Sequence, residues 1–574
     1  MTAFESSKII FTTLVGFVFC LIMMYNLELI RYDKGNIIIH LEGNPYVSTN
    51  RDSRPTVTGS EPTTPKTATT SKTTSTPTTA KQCDQKLDSE TKSLIRKALD
   101  KTIQLKELFR QQSQTLTEKN KDVLPVLNYF KRLAKPLENS LLNDLELLYD
   151  KAWKEDAKEL QELNRIAQSM ISQTQNPKNC TRAKKLHCVM NHMTCGFGCI
   201  IHDYGLCAFV SIGESRTLQY DMNQLATYPG INTTFEYPSE TCVNRTNFGN
   251  YKIEWHPKLH KDAPSSNKEV LTMTINEPST SHSQFSPGTV PQHLIERLQL
   301  VHSDPNAWWT GHVISYLVRP QKWVLEELKT IKREIEFEHP IVGIHVRRTD
   351  KISEASYFGL ERYMDHVESW YDRYQLKHPK EKVVRRIYLA TDDAQVVKEA
   401  KNSYPHYKIL FTIGRTFNNS QNRKSNSAVK GVLFDALLLK DSDFVVVTFS
   451  SNIGRLVYEL RQNTSSDPTY NVVSLDDGFY YWGEIGNKQV AIMDHKPPTS
   501  QLCNGTTFRS PIPEMRKWTC ELELRVGDQL QSFGYMYHSY LSGGYNRRSK
   551  LHGVYPTHKV KDVLTPAAYP RHYT

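Results

Sequence analysis

No block of like charge interrupts this sequence. Its 72 Lys and Arg outnumber its 61 Asp and Glu, for a formal net charge of +11, but the excess is spread along the chain. Scattered basic residues make a solvated surface, so charge alone does not point to nucleic acid. Cysteine is sparse, ten in 574 residues. Cys195-Gly-Phe-Gly-Cys199 is neither a redox Cys-x-x-Cys nor half of a zinc double pair, so it reads as part of a disulfide knot and no structural metal is expected. No small-residue cleavage pattern follows the apolar run near the N-terminus, which argues against a removed signal peptide. The only Asp-x-Asp, Asp441-Ser-Asp443, precedes a buried-strand run instead of following one, which places it in a turn and not at a metal–diphosphate site.

What is present divides the chain. A length of 574 residues exceeds one hydrophobic core and predicts two or three folded units with connecting segments. Ile9–Leu27 is uncharged and long enough to cross a bilayer, so residues 1–8 form a cytoplasmic tail, 9–27 an uncleaved signal anchor, and the remainder is lumenal. Two features agree with a lumenal body. Sequons occur at Asn179, Asn232, Asn244, Asn418, Asn463 and Asn504, and six of the ten cysteines cluster between Cys180 and Cys242. Cys20 lies within the span and is expected to be unpaired. Thr56–Thr79 is mostly Thr, Ser, Pro and Lys, too polar to offset chain entropy, and makes residues 28–82 an extended stem.

Helix-forming residues dominate 83–173, with Leu141, Leu145, Leu148 and Ala152 at helical spacing. Pro125 and Pro136 predict breaks, hence two or three helices. An antiparallel hairpin packed on its own domain and a coiled-coil dimer contact fit equally well. From 174 to 498 the pattern alternates strand, loop and helix. Pro340–Val346, Arg386–Thr391 and Asp443–Thr448 are buried-strand runs separated by helices, which argues for βαβ units and a parallel sheet. Ligands of such sheets sit beyond the carboxyl ends of the strands.

Three motifs occupy those ends. His345-Val-Arg-Arg-Thr-Asp-Lys351 presents two guanidinium forks suited to diphosphate oxygens, with Asp350 placed to hold one fork. Tyr388-Leu-Ala-Thr-Asp-Asp393 brings two carboxylates that could bind a divalent cation, orient the arginines or cap the next helix; capping is the simplest role for Asp393. Thr448-Phe-Ser-Ser-Asn-Ile-Gly-Arg455 passes from strand into helix, so its hydroxyls and amides can take a phosphate or sugar oxygen. The tail differs in character: after a 499–520 linker that Cys503 and Cys520 could close, 521–565 reads as a small β-barrel. Its Gly-Asp turn, Gly-rich middle and closing Gly553-Val-Tyr-Pro resemble a Src-homology-3-type (SH3-like) domain, although the usual Ala-Leu-Tyr-Asp opening is missing.

The three motifs in this order, with Ser239-Glu-Thr-Cys242 and Trp308-Trp309, resemble the α1,6-fucosyltransferases that modify the innermost N-acetylglucosamine of N-glycans, and the resemblance spans essentially the whole chain. It implies an α/β, GT-B-like fold with a Rossmann-type sheet, preceded by a helical region and followed by the barrel. It implies that Arg347 and Arg348 bind the GDP-fucose diphosphate, that His345 and Asp435 contact guanosine, and that Asp350, Asp392, Asp393 and Ser451 shape the donor pocket. Glu354 falls at the family's catalytic base and Lys351 at its partner lysine, in a segment one residue shorter than the family's Thr-Asp-Lys-Val-Gly-Thr-Glu-Ala. Glu277, Asn452 and His538 fall at acceptor contacts. Implied disulfides are Cys180–Cys242, Cys188–Cys207 and Cys195–Cys199. The family's cysteine pair around the third motif is replaced by Val447 and Gly454, both partners together. The implied chemistry is one inverting displacement needing a single carboxylate base and no metal or other cofactor, in a Golgi type II membrane protein that dimerises through its helical region. A fucosyltransferase of another linkage or of a chitin-type acceptor, and an inactive glycan-binding scaffold, are the rival readings.

Overall fold

The computed structural model describes residues 30–33, 36–39, 89–119, 124–154, 156–190, 196–220, 234–242, 253–255, 269–275, 284–349, 357–412, 426–464, 466–476, 478–481, 488–504, 520–532 and 541–571. The run Ile9–Leu27, the Thr-rich run 56–79, Cys195, Glu277, Asp350, Lys351, Glu354 and His538 lie outside the described residues. The chain divides into two compact units, Met1–Gln82 and Cys83–Thr574. In the first, β1 (Ile30–Asp33) pairs antiparallel with β2 (Asn36–Ile39).

The second unit opens with α1 (Ser89–Lys119) and α2 (Leu124–Lys154), followed by α3 (Ala157–Gln175). Ile95 and Leu99 of α1 pack on Tyr149, Ala152 and Trp153 of α2, while Lys106 pairs with Glu138 at 2.6 Å, so the two helices run antiparallel. Within one chain the hairpin reading therefore holds. Pro125 stands in the first turn of α2, where a missing N–H costs nothing. The break expected at Pro136 is absent: it lies inside α2, exposed.

Two parallel sheets follow, one more than the sequence patterns predicted. The first contains β3 (Lys185–Met190), β4 (Thr217–Tyr220), β5 (Ile253–Trp255) and β6 (Val270–Ile275) in the order β4-β3-β6-β5, every pair parallel. After β3 comes α4 (Phe197–Gly213), apolar all round and buried accordingly. Beyond β7 (Thr289–Pro291) and α5 (Ile295–Val301), α6 (Pro305–Leu317) buries Trp308 and Trp309 completely, and Asp304 caps it by accepting from the Ala307 N–H at 3.0 Å. The amphipathic α7 (Lys322–Glu334) leads to the second sheet.

That sheet contains β8 (Ile341–Val346), β9 (Arg386–Thr391), β10 (Lys408–Leu410), β11 (Phe444–Val447) and β12 (Val472–Ser474), connected through α8 (Leu360–Lys377), α9 (Ala394–Ser403), α10 (Asn426–Lys440) and α11 (Asn452–Arg461). Its order is β10-β9-β8-β11-β12, all parallel. Alternation along β8 separates two cores. Val342, Ile344 and Val346 pack with Leu360 and Val367 of α8, whereas Ile341 joins the core that holds Leu439 of α10 and Val457 of α11. The chain order reverses between β8 and β11, and this is where a doubly wound sheet opens a crevice.

The hairpin docks on this second half along α8. Lys135 pairs with Glu368, the Asn139 amide donates to Asp372 at 3.3 Å, and the Arg373 guanidinium donates to Glu146 at 2.8 Å. These contacts hold α2 on both sides of Pro136, which explains why a helix-breaking cost of about 3 kcal/mol does not break it. A cavity of about 390 Å³ lies in the seam, lined by Tyr149, Trp153, Trp370 and Tyr374. The chain ends in an antiparallel sheet of β13 (Lys488–Ala491), β14 (Gln529–Ser532), β15 (Leu541–Asn546), β16 (Leu551–Pro556) and β17 (Val560–Asp562). Its first strand comes from upstream of the expected 521 boundary, and Cys503–Cys520 closes the intervening loop. Finally β18 (Thr565–Ala567) pairs with β7, returning the tail to the first half.

Candidate active site

The second half supplies a charged rim at the carboxyl end of β8. Arg347 donates from Nη1 to Asp392 at 2.6 Å, the Arg348 backbone N–H donates to the other Asp392 oxygen at 2.9 Å, and the Thr349 hydroxyl donates to the same carboxylate. Both Asp392 oxygens are thus engaged in orienting the loop. Of the three roles open to the acidic pair, Asp392 takes orientation and Asp393 takes capping, accepting from the Gln395 N–H at 2.9 Å at the start of α9.

Arg348 is held from two further sides. Its Nη1 donates to Glu399 of α9 at 2.7 Å, and Tyr357 lies 5.0 Å beneath the guanidinium carbon. Its buried Nε and Nη2 have no partner among the described residues. A buried charged donor without an acceptor costs about 1–3 kcal/mol or more, so this fork is arranged for an anionic ligand. Glu399 was not evident in the sequence, because its reach back to the β8 loop depends on how α9 packs.

On the opposite face of the sheet stand His345 and Asp435. Burial, and secondly the Arg347 guanidinium, push the His345 imidazole down to about 4, against the smaller pull of Asp392. The ring is neutral at ordinary pH, and its Nδ1 has no partner among the described residues. Asp435 of α10 accepts from the Tyr388 hydroxyl at 2.6 Å and from Thr412 at 3.2 Å.

The third motif closes the crevice. Ser451 caps α11 without a side-chain hydrogen bond to the helix, leaving its buried hydroxyl outside the capping pattern. Asp476, just past β12, accepts the Phe449 and Ser450 N–H groups at 2.8 and 3.4 Å, and the Arg455 guanidinium donates to the Phe449 carbonyl at 2.9 Å. The turn is pinned from both directions. A Cβ on Gly454 would lie 2.2 Å from the Thr448 carbonyl oxygen and 3.3 Å from the Val447 Cβ, so the two positions that replace the family's cysteines do adjoin.

Asn452 is committed inward: its Oδ1 faces His202 Nδ1 at 3.0 Å and accepts from Arg455. His202 Nε2 faces both Glu459 oxygens at 3.0 Å, and the His202–Glu459 pair is fully buried. Since Arg455 can only donate, Asn452 presents its oxygen both to that guanidinium and to the His202 ring. A Cβ on Gly198 would lie 2.8 Å from the Asn452 Cβ, so α4 and α11 meet at their N-termini. The carboxyl ends of the two sheets therefore face one another across the crevice. No periodicity in the sequence signalled His202, Glu459 or Asp476; the strand-end rule would have found Asp476 had β12 been recognised.

The described residues bring together Arg347, Arg348, Asp392 and Asp393 on one rim, and place Ser451 and Asn452 beyond the neighbouring strand β11, with His345 and Asp435 on the α10 face. Cys180–Cys242 and Cys188–Cys207 are bonded.

The family described as alpha-(1,6)-fucosyltransferase N- and catalytic domains matches residues 33–481. An alpha-(1,6)-fucosyltransferase of Drosophila melanogaster is 33% identical over 441 residues, covering 75% of this chain and 66% of the relative. One of Caenorhabditis elegans is 32% identical over 397 residues, covering 68% and 66%. Each alignment thus spans just under two thirds of the relative. A crystal structure of the NodZ alpha-1,6-fucosyltransferase soaked with GDP-fucose covers 51% of this chain and 95% of its own at 12% identity, with a TM-score of 0.31, too distant to carry weight. On the strength of the match over residues 33–481, the chain belongs to the alpha-(1,6)-fucosyltransferase family.

Proposed function

We propose that this chain transfers L-fucose from GDP-β-L-fucose to O6 of the innermost GlcNAc of N-glycans, in α1,6 linkage, by one inverting displacement without a metal. The observation that carries the reading is the Arg348 fork, fixed by Glu399 and Tyr357 with two buried N–H groups free of partners among the described residues, at the switch point of a Rossmann-ordered sheet. Arg347 and Arg348 bind the diphosphate and stabilise the charge that develops as GDP departs. His345 and Asp435 contact the guanosine, while Asp392, Asp393, Asp350 and Ser451 shape the pocket.

Glu354, paired with Lys351, removes the proton from the acceptor O6 as that oxygen attacks the anomeric carbon; the carbon–oxygen bond to GDP breaks on the opposite face, and GDP carries away the electron pair. Glu277, Asn452 and His538 face the acceptor, Asn452 through its amide nitrogen, since its oxygen is taken. The two facing α/β halves are GT-B-like, and the terminal sheet is SH3-like. The protein acts in the Golgi lumen, anchored by Ile9–Leu27, as a dimer formed through the helical region. The test offers the purified lumenal part GDP-fucose and a biantennary N-glycan ending in GlcNAc, with EDTA present. The α1,6-fucosylated product is expected; its absence overturns the reading, and strict dependence on added metal overturns the metal-free mechanism.

A further inference from the structure

We infer that Asn179 carries an N-linked glycan on the face of the molecule opposite the donor crevice. Asn179-Cys-Thr181 lies in the turn between α3 and β3, and Asn179 is exposed. Its Oδ1 accepts three donors from the next residues: the Thr181 hydroxyl at 2.7 Å, the Thr181 N–H at 3.0 Å and the Arg182 N–H at 3.4 Å. The oxygen is therefore locked into the turn, and the amide nitrogen is the atom left to solvent. A sugar on that nitrogen breaks no contact of the fold.

The same turn is closed by Cys180–Cys242, and the chain holds Cys188–Cys207 and Cys503–Cys520 as well. Disulfides of this number place the folded part in an oxidising compartment, the side on which asparagine is glycosylated. The reaction is a group transfer that uses an oligosaccharide carried on a polyisoprenyl diphosphate. The Asn179 nitrogen bonds to the anomeric carbon, the carbon–oxygen bond to the diphosphate breaks, the amide loses one proton and the lipid diphosphate leaves. Cys242 follows Cys180 by 62 residues, so transfer to a nascent chain precedes closure of the turn.

Two other sequons have a described asparagine. The Thr464 hydroxyl beside Asn463 donates to the Arg461 and Ser466 carbonyls, each at 2.9 Å, and the Thr464 carbonyl accepts from Asn164 at 2.6 Å, which ties that segment to α3. Asn504 is exposed within the disulfide loop. Position distinguishes Asn179 further. It precedes the amino end of β3, whereas the crevice lies at the carboxyl end, about 20 Å away along a six-residue strand. A glycan there leaves the donor site clear.

The full chain is expressed in a eukaryotic secretory host, digested, and treated with peptide N-glycosidase in heavy-oxygen water before mass spectrometry. Most copies of the Asn179 peptide are expected to return as heavy-oxygen aspartate. Thr181→Ser should retain this conversion and Thr181→Ala should lose it. A wild-type peptide with unmodified Asn179 predominating overturns the inference, as does full conversion in Thr181→Ala. Asn179→Gln is expected to lose one glycan on a gel and to keep its GDP-fucose turnover per folded molecule; a changed turnover overturns the placement on the far face.

Discussion

Arg348 concentrates most of the site's chemistry in one side chain. Its Nη1 is anchored on Glu399, its plane rests over Tyr357, and its buried Nε and Nη2 have no partner among the described residues. Arg348→Ala should weaken GDP binding, followed by calorimetry, by about 3 kcal/mol or more, over a hundredfold, because charge-assisted hydrogen bonds contribute about 1.5–3 kcal/mol each. Arg348→Lys should recover little of this, since an ammonium lacks the fork. Glu399→Gln should fall between: the fork keeps a neutral acceptor, KM for donor rises several-fold, and kcat changes less. His345 gives a test in the other direction. With its imidazole pushed down to about 4 by burial and then by Arg347, it is neutral above about 5, and its ring resonances should not titrate between pH 5 and 8 in NMR. The paired arginines and Asp392 were legible in the sequence because they follow a buried strand. Glu399 was not, since an acidic residue in the second turn of an amphipathic helix looks like any solvated one.

At the scale of the element, α11 matters most, because it begins in the second half and packs on helices of the first. Its N-terminal turn is held by Asn452 against His202, which Glu459 pairs with farther along the helix, and by the approach of Gly454 to the Thr448 carbonyl. Glu459→Ala leaves the buried His202 Nε2 without its partner and should cost about 1–3 kcal/mol, read as a lowered midpoint in chemical denaturation. Gly454→Ala places a methyl 2.2 Å from that carbonyl oxygen and should cost about 1–3 kcal/mol while weakening GDP binding, because Ser451 moves with the turn. Thr448 to Arg455 was readable as a strand-to-helix turn. What lay beneath it was not: His202 is 250 residues from Asn452, and no local pattern joins them.

For the whole molecule, the docked hairpin and the buried neutral histidines set stability. Trp153 stacks on Tyr149 at 4.2 Å and is nearly fully buried, so Trp153→Ala should cost about 3–5 kcal/mol and loosen the hairpin, seen as faster amide exchange along α1 and α2. His312 is fixed as a neutral ring, facing the Gln168 amide with Nδ1 at 2.8 Å and Asn164 Oδ1 with Nε2 at 2.9 Å, and burial pushes it down to about 3. A histidine whose folded pKa lies below its unfolded value binds fewer protons when folded. The contribution of His312 and His345 is therefore full above the unfolded value of 6.5 and lost as pH falls from there towards about 4 for His345 and about 3 for His312. Denaturation midpoints should drop over that range, and His312→Gln should flatten the drop.

By itself the sequence determined the alternation that builds the second parallel sheet, the charged residues at its strand ends, the family, and the cysteines available for bonding, because strand burial, helix periodicity and strand-end chemistry are local in the chain. Only the tertiary structure decided that another parallel sheet, β3 to β6, faces it, that α2 continues through Pro136 because α8 supports it, that Asp392 orients while Asp393 caps, and that His202 and Glu459 hold the third motif. Each of these is a contact between residues distant in sequence, whose energy comes from burial and partner geometry that no short window of residues contains.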